Sequence, residues 1–174
     1  MTDEGAADRA DAATVTMTEP RYPPSAKAPL VWALIGAVPW LVLAAGQLMW
    51  AVLDPRLPLL HGLALVVTVF GLVVSVVVAP LWRYRVHRWD ISPQAVYTRT
   101  GWLVQERRIA PISRVQTVDT YRGPLDRLLG LANVRVTTAS SAGAVHIVAL
   151  DAPVADRVVA QLTDVASLGA EDAT

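Results

Sequence analysis

At 174 residues, 53% hydrophobic and with 15 basic against 15 acidic side chains, the chain has room for one modest domain beyond any membrane segment. It contains no cysteine, which excludes disulfides, thiolate nucleophiles and cysteine-ligated metals. Its basic excess sits in residues 83–168, where eleven arginines less seven acids leave plus four, a poor fit to nucleic-acid binding with so few aromatics beside them.

Residues 1–27, rich in Ala, Asp, Thr and Pro, read as a disordered leader. Residues 28–53 and 57–82 then each run for 26 positions without a charged side chain. As helices these are roughly 39 Å long, against a hydrocarbon core of ~30 Å. A domain as small as residues 83–168 could not cover both, so they are expected to cross a membrane. Asp54-Pro55-Arg56 and Pro58 leave room only for a tight reversal, which makes the pair an antiparallel hairpin. Arg21 and Lys27 precede the hairpin, Arg83, Arg85 and Arg88 follow it, and the turn holds only Arg56 offset by Asp54. The positive-inside rule then puts both termini in the cytoplasm and the protein, multi-pass, in the cytoplasmic (inner) membrane. Trp32 and Trp50 fall near the two interfaces and Trp82 marks the exit. Pro39 beside Trp40 and Gln47, the one amide in the spans, read either as a kinked helix with a polar contact to another helix or, preferred, as a tolerated proline and an amide bonding to its own neighbour helix, and His61 has no ionisable partner in either span for a proton relay.

After Trp82 the pattern changes to short β-favouring runs. They cover 84–91, 95–100 and 102–109, broken by Ser92-Pro93-Gln94 and by Gly101, then 115–122, 133–138 and 145–150. In the fourth run Gln116, Val118 and Thr120 should share one face, and Val115, Thr117 and Asp119 the other. Gly123-Pro124 opens a helical turn to Leu129 with Gly130 as a left-handed cap, and Leu125, Leu128 and Leu129 are placed to cover the sheet end. A last helix starts near Asp151 and carries Val154, Val158, Leu162 and Val165 on one stripe until Gly169, leaving 169–174 as a disordered tail. The fold class is therefore a membrane α-helical hairpin plus an α+β domain, a strongly bent sheet or open barrel over residues 83–168 with a C-terminal helix.

The stretch RRIAPISRVQTVDTYRGPLDRLLGLANVRVTTASSAG contains an arginine-valine-glutamine strand at Arg114, Val115 and Gln116. It continues with a glycine-proline-leucine-x-arginine turn at Gly123, Pro124, Leu125 and Arg127, a glycine-leucine pair at Gly130 and Leu131, and a threonine-alanine step at Thr138 and Ala139. In these motifs, the two preceding spans and the basic exit, the chain resembles the bacterial pleckstrin-homology-like (bacterial PH domain, YdbS-like) membrane protein family over about residues 30–165. Ser140-Ser141 stands where the family would have glycine, which touches only the turn's conformation. The resemblance implies a PH-like domain, supplies no catalytic residue, and suggests a larger multi-PH-domain relative as a membrane-protein partner.

The residues themselves offer no phosphate-cradling glycine loop, nucleophile elbow or histidine pair at metal spacing. His61, His87 and His146 lie in different elements, the last two read as surface groups, and no catalytic, cofactor or metal residue is assigned. Arg114, Gln116, Arg122 and Arg127 are the candidate interaction surface, suited to an acidic partner or a lipid head group. Their other reading is structural, with Arg127 bracing the turn, Arg114 paired to Glu106 or Asp119, and Asp119 and Asp126 paired to Arg122 and Arg127. Arg83, Arg85 and Arg88 serve as a basic, membrane-proximal flank. The expected function is a non-catalytic interaction or scaffold module on the lipid bilayer, binding another membrane protein or itself, an open strand edge being one docking mode. An anionic-lipid sensor is the alternative, weakened because the 92–94 loop has no base; an accessory subunit of a membrane enzyme or transporter is the third.

Overall fold

Two long apolar helices lead into a small β-rich domain. The computed structural model describes residues 19–102, 104–139 and 143–171, with side chains as far as Asp164. Positions 1–18 of the leader, the Ser140-Ser141 turn, the Val165 side chain and positions 172–174 lie outside the described residues.

The first helix is α1 (Ala28–Leu53). The second is continuous over Pro58–Val86 and comprises α2 (Pro58–Val73), a π-helical turn (Val74–Val78) and α3 (Ala79–Val86). The π turn lies just before Pro80, whose missing N–H already interrupts the i→i−4 ladder. Only 11% of each helix's most apolar window is buried inside the protein, the opposite of a soluble core helix. The two are the expected membrane hairpin. They meet through small residues: a Cβ on Gly71 would lie 2.0 Å from the Trp40 ring, and one on Gly36 would lie 2.8 Å from the Ser75 carbonyl oxygen. Trp40 Nε1 donates to Ser75 Oγ at 2.7 Å. Close backbone approach plus one indole–hydroxyl bond is how helices associate where lipid removes the hydrophobic drive.

The second helix overruns its expected end. Tyr84, Arg85 and Val86 continue α3 instead of opening a strand, because a helix already propagating adds a bond for each residue it fixes. Arg88 Nη1 then donates to the Tyr84 carbonyl at 2.9 Å and the His87 carbonyl at 2.8 Å, capping the helix end. His87 itself is buried, not on the surface: it is 5% exposed, with its ring 5.2 Å from Trp32. Its Nδ1–H donates to the Arg83 carbonyl at 2.9 Å. Burial first, and the Arg83 charge second, push its pKa down to about 4.

The domain holds two three-stranded antiparallel sheets. The first is β1 (Arg88–Ile91), β2 (Ala95–Gly101) and β3 (Gln105–Pro111). The second is β4 (Val115–Tyr121), β5 (Leu131–Thr138) and β6 (Val145–Asp151), joined to the first by a 3₁₀ turn (Ile112–Arg114). The short α4 (Pro124–Leu129) links β4 to β5, and α5 (Ala152–Glu171) closes the domain. Val96, Val134, Val136, Ile147, Leu150 and Leu162 form one core shared by both sheets and α5, as in a PH-like fold. Gly130 caps α4 at φ 71°, as its spacing predicts.

Several details depart from the sequence pattern. Val115 pairs with Thr138 and Thr117 with Thr137, so Gln116 is an extra, bulged residue. The bulge breaks the alternation and lets Val115 and Val118, assigned to opposite faces, both pack on the core. Leu128 is 78% exposed while Leu125 and Leu129 pack inward. The last helix continues past Gly169 to Glu171, into the segment assigned to the tail, since one helical glycine costs only about 1 kcal/mol. The leader's final residues are ordered against the domain. Tyr22 and Trp89 exchange backbone hydrogen bonds at 3.0 and 2.9 Å, and Ser25 donates through its backbone N–H to the Ala149 carbonyl at 2.8 Å. Composition averaged over the whole leader cannot register this pairing.

A second, smaller core joins hairpin to domain. Ala28 and Val31 of α1 are buried against Leu131 and Ala149, with Trp32, Tyr84, Leu125 and Leu129 packed around them. Beside it, buried Asn133 accepts from the Ala149 N–H at 2.8 Å and donates to Asp126 Oδ2 at 2.8 Å, while Asp126 Oδ2 also accepts from the Gly123 N–H at 3.0 Å. Asn133 thereby holds Ala149 at φ 55°, a left-handed conformation uncommon for a residue with a Cβ.

Two outcomes follow from this packing. Gly71→Val forces the Trp40 ring off the facing helix and should weaken the hairpin by about 1–3 kcal/mol, an overpacking cost; unchanged resistance to denaturing detergent would contradict it. For His87, the unfolded chain takes up a proton near pH 6.5 and the folded chain only near 4. Its contribution to stability is therefore present above 6.5 and lost as pH falls toward 4. In a detergent-solubilised melting series His87→Gln should lose less stability than the wild type across that window, and parallel curves would contradict the assignment.

Candidate functional site

The sequence nominated Arg114, Gln116, Arg122 and Arg127, and all four are exposed. They do not converge. Arg114 and Gln116 stand at the start of β4, Arg122 and Arg127 beyond its other end, separated by a strand of roughly 20 Å. Arg122 Nη2 lies 3.8 Å from Asp156 Oδ1, not against a carboxylate of its own turn. Glu106 pairs with Arg108 at 2.7 Å, and Asp126 is committed to Gly123 and Asn133. Among the described residues Arg114 and Arg127 form no ion pair. The basic flank also divides: the Arg83 guanidinium lies 4.5 Å over the Trp32 ring and Arg88 caps α3, leaving Arg85 exposed. Trp50 and Trp82 are 37% and 49% exposed, as interfacial indoles would be, whereas Trp32 is engaged between Arg83 and His87.

Several other charged groups are partnered. Glu19 Oε1 reaches Arg107 Nη2 at 3.3 Å and Arg99 Nη1 at 3.5 Å, laying the leader across the first sheet. The Tyr22 bridge also occupies part of the β1 edge, one of the strand edges open to a peptide in sequence terms. Burial, then the Arg135 and Arg108 charges, holds the His146 pKa below its usual range. Among the described residues there is no group of three His, Asp or Glu side chains able to hold a metal ion.

Polar groups converge instead inside the hairpin. Gln47 Nε2 spends both protons, on the Ala64 carbonyl at 3.1 Å and on Thr68 Oγ1 at 2.7 Å. The Ala64 carbonyl can only accept, and Thr68 spends its own proton on that carbonyl at 2.9 Å, so the amide nitrogen belongs there and Oε1 is left as an acceptor. Across the cleft His61 Nε2 contacts the Asp54 carbonyl at 2.8 Å. A carbonyl can only accept, so Nε2 donates, and Nδ1 is the other ring nitrogen. Among the described residues, Gln47 Oε1 and His61 Nδ1 are both buried without a partner. Residues Gln47 and His61 line one cleft of about 240 Å³ between α1 and α2, walled by Ala44, Trp50, Ala64 and Leu65. The Trp50 ring meets His61 edge-on at 4.3 Å. Gln47 lies two helical turns before Asp54, about 10 Å from the turn end of α1. A buried polar atom without a partner costs free energy until a donor or acceptor reaches it.

Sequence reasoning found Gln47 and its bond to the neighbouring helix but not the shared cleft, which depends on how α1 and α2 face each other. Asn133 was missed as well. Its only sequence signal is an amide in a strand otherwise composed largely of apolar and β-branched residues.

Comparison with known proteins is consistent with this architecture. The bacterial PH domain profile matches residues 30–166, spanning the hairpin and nearly the whole domain. The UPF0699 transmembrane protein YdbS of Bacillus subtilis (strain 168) is 33% identical over 114 residues, covering 65% of this chain and 70% of that protein. No solved structure matches. With the profile covering well over half its length, and with a membrane hairpin running into a two-sheet, helix-capped domain, the chain belongs to the bacterial PH domain family.

Proposed function

We propose that the protein is a non-catalytic interaction module whose membrane hairpin docks against a transmembrane helix of a partner protein. The observation that carries this reading is that Gln47 and His61, each with one buried polar atom that lacks a partner, line the same cleft between α1 and α2. A partner helix would fill the cleft with side chains, and its hydroxyl, amide or indole N–H groups would reach the two buried atoms as the side chains around them give way. Inter-helix hydrogen bonds of this type contribute modestly, on the order of 1 kcal/mol, and serve mainly to select partner and register. Other polar side chains of the hairpin, Trp40, Thr68 and Ser75, are already paired internally, which leaves a second copy only the Trp50 indole of its own cleft to offer. A different membrane protein is the better occupant, and a larger multi-PH-domain relative is the candidate that the family suggests. The domain would sit on the cytoplasmic face of the inner membrane, an orientation supported by the arginines at 83, 85 and 88 and by Lys27. Exposed Arg114, Gln116, Arg122 and Arg127 would then provide separate polar contacts around the domain, not one pocket. The dispersal of these groups favours protein docking over recognition of a single anionic head group.

The test is purification of the intact protein from its native membrane in mild detergent. Wild type should carry a membrane protein at fixed stoichiometry, and Gln47→Leu and His61→Phe should each lose it by tenfold or more while staying folded. A wild type recovered alone as a monomer, or a complex that survives both substitutions, would overturn the reading.

A further inference from the structure

The end of the hairpin nearest the domain is touched by two separate elements, and each shows solvent an apolar side chain that the fold does not use. The first is the β2–β3 tip. Trp82, immediately before Arg83 at the foot of the second helix, donates from Nε1 to the Trp102 carbonyl at 2.8 Å. This bond fixes the tip at the height where the apolar span gives way to arginines. The turn is tight by construction: Gly101 has φ 128°, and a Cβ there would lie 1.9 Å from the Val104 carbonyl oxygen. A substituent at that glycine would open the tip. Trp102 is 44% exposed and Val104 is 81% exposed. Glu106, the nearest acid on β3, is neutralised by Arg108 at 2.7 Å, so no free carboxylate opposes burial of the tip.

The second element is α4. Lys27, one residue ahead of α1, donates from Nζ to the Leu129 carbonyl at 2.9 Å, which pins the helix end to the same level. Leu125 and Leu129 pack inward, but Leu128 is 78% exposed and adjoins the cationic Arg127. A valine and a leucine this exposed are each unremarkable alone. Their placement beside Trp82 and Lys27 is what requires an explanation, because that height is the boundary between acyl chains and head groups.

We propose that Trp102 and Val104 of the β2–β3 tip, together with Leu128 of α4, insert into the membrane leaflet on the domain's side and seat the domain on the bilayer at two points. The partner is the apolar margin of the lipid surface. Trp102, with an apolar ring and a polar N–H, suits the head-group boundary, and Val104 and Leu128 reach the acyl side. Arg127 then faces phosphates. The contact is driven by apolar burial and so does not depend on a particular head group or on net lipid charge.

The chain has no native cysteine, so a single introduced thiol gives an unambiguous probe site. Full-length protein carrying Val104→Cys or Leu128→Cys, labelled with an environment-sensitive fluorophore, is reconstituted into phosphatidylcholine vesicles with and without nitroxide-labelled acyl chains. Gln161→Cys on α5 serves as the water-exposed control, and Val66→Cys on α2 reports insertion of the hairpin itself. Probes at 104 and 128 should be blue-shifted and quenched by the lipid nitroxide at least threefold more than the probe at 161, at low and high salt alike. Quenching at 104 and 128 no greater than at 161, with 66 fully quenched, would overturn the proposal while leaving the hairpin intact. Quenching at only one of the two sites would overturn the two-point seating.

Discussion

The whole molecule depends on the contact between the foot of α1 and the second sheet. Ala28 and Val31 are buried on Leu131 and Ala149, so the first membrane helix begins inside a core of the domain and not at the end of a free tether. Everything nearby reinforces the same joint. Arg83 stacks on Trp32, the His87 ring packs 5.2 Å from the same indole, Ser25 Oγ donates to Asp151 Oδ1 at 2.8 Å, and Asn133 holds Ala149 in the left-handed backbone that presents its carbonyl to Ser25. The neutral, buried state of His87 is a consequence: a charge there would sit beside Arg83 in a poorly solvated seam.

A rigid joint gives the small domain a defined height and tilt relative to the lipid. A PH-like sheet pair hung on a flexible linker would sample all orientations, and none of its edges or tips would meet the membrane reproducibly. Here the β2–β3 tip and α4 are held at one level by Trp82 and Lys27, while the two buried polar atoms without partners lie near the turn end of the hairpin, beside Trp50. The lipid seating and the partner docking proposed above would thus fall at opposite ends of the hairpin.

Much of this architecture was legible from one dimension. Two uncharged runs, each long enough to cross a bilayer, can be little other than spans, and strand positions with period-two patterning, such as 133–138, are found where expected. The motif from Arg114 to Ala139 pointed to the correct family. What could not be read depends on through-space events. The Gln116 bulge inverts the face assignment of half a strand because pairing with β5, not local pattern, sets the register. Tyr22 and Ser25 look like leader until an edge strand and the Ala149 carbonyl are placed beside them. Arginines close in sequence were grouped as one surface, yet β4 holds Arg114 and Arg122 a strand length apart, and Arg122 turns to Asp156 on α5. Gln47 and His61, on opposite sides of the hairpin turn, become one site only when the helices fold back on each other.

The central claim is that hairpin and domain are one body. It is tested most directly by a spin-label distance measurement on full-length protein in bilayers, with thiols introduced at Leu59, exposed at the turn end of α2, and at Gln161, exposed on α5. The account predicts a single narrow distance distribution. A broad or multimodal distribution would show the domain swinging on its tether and would contradict the account.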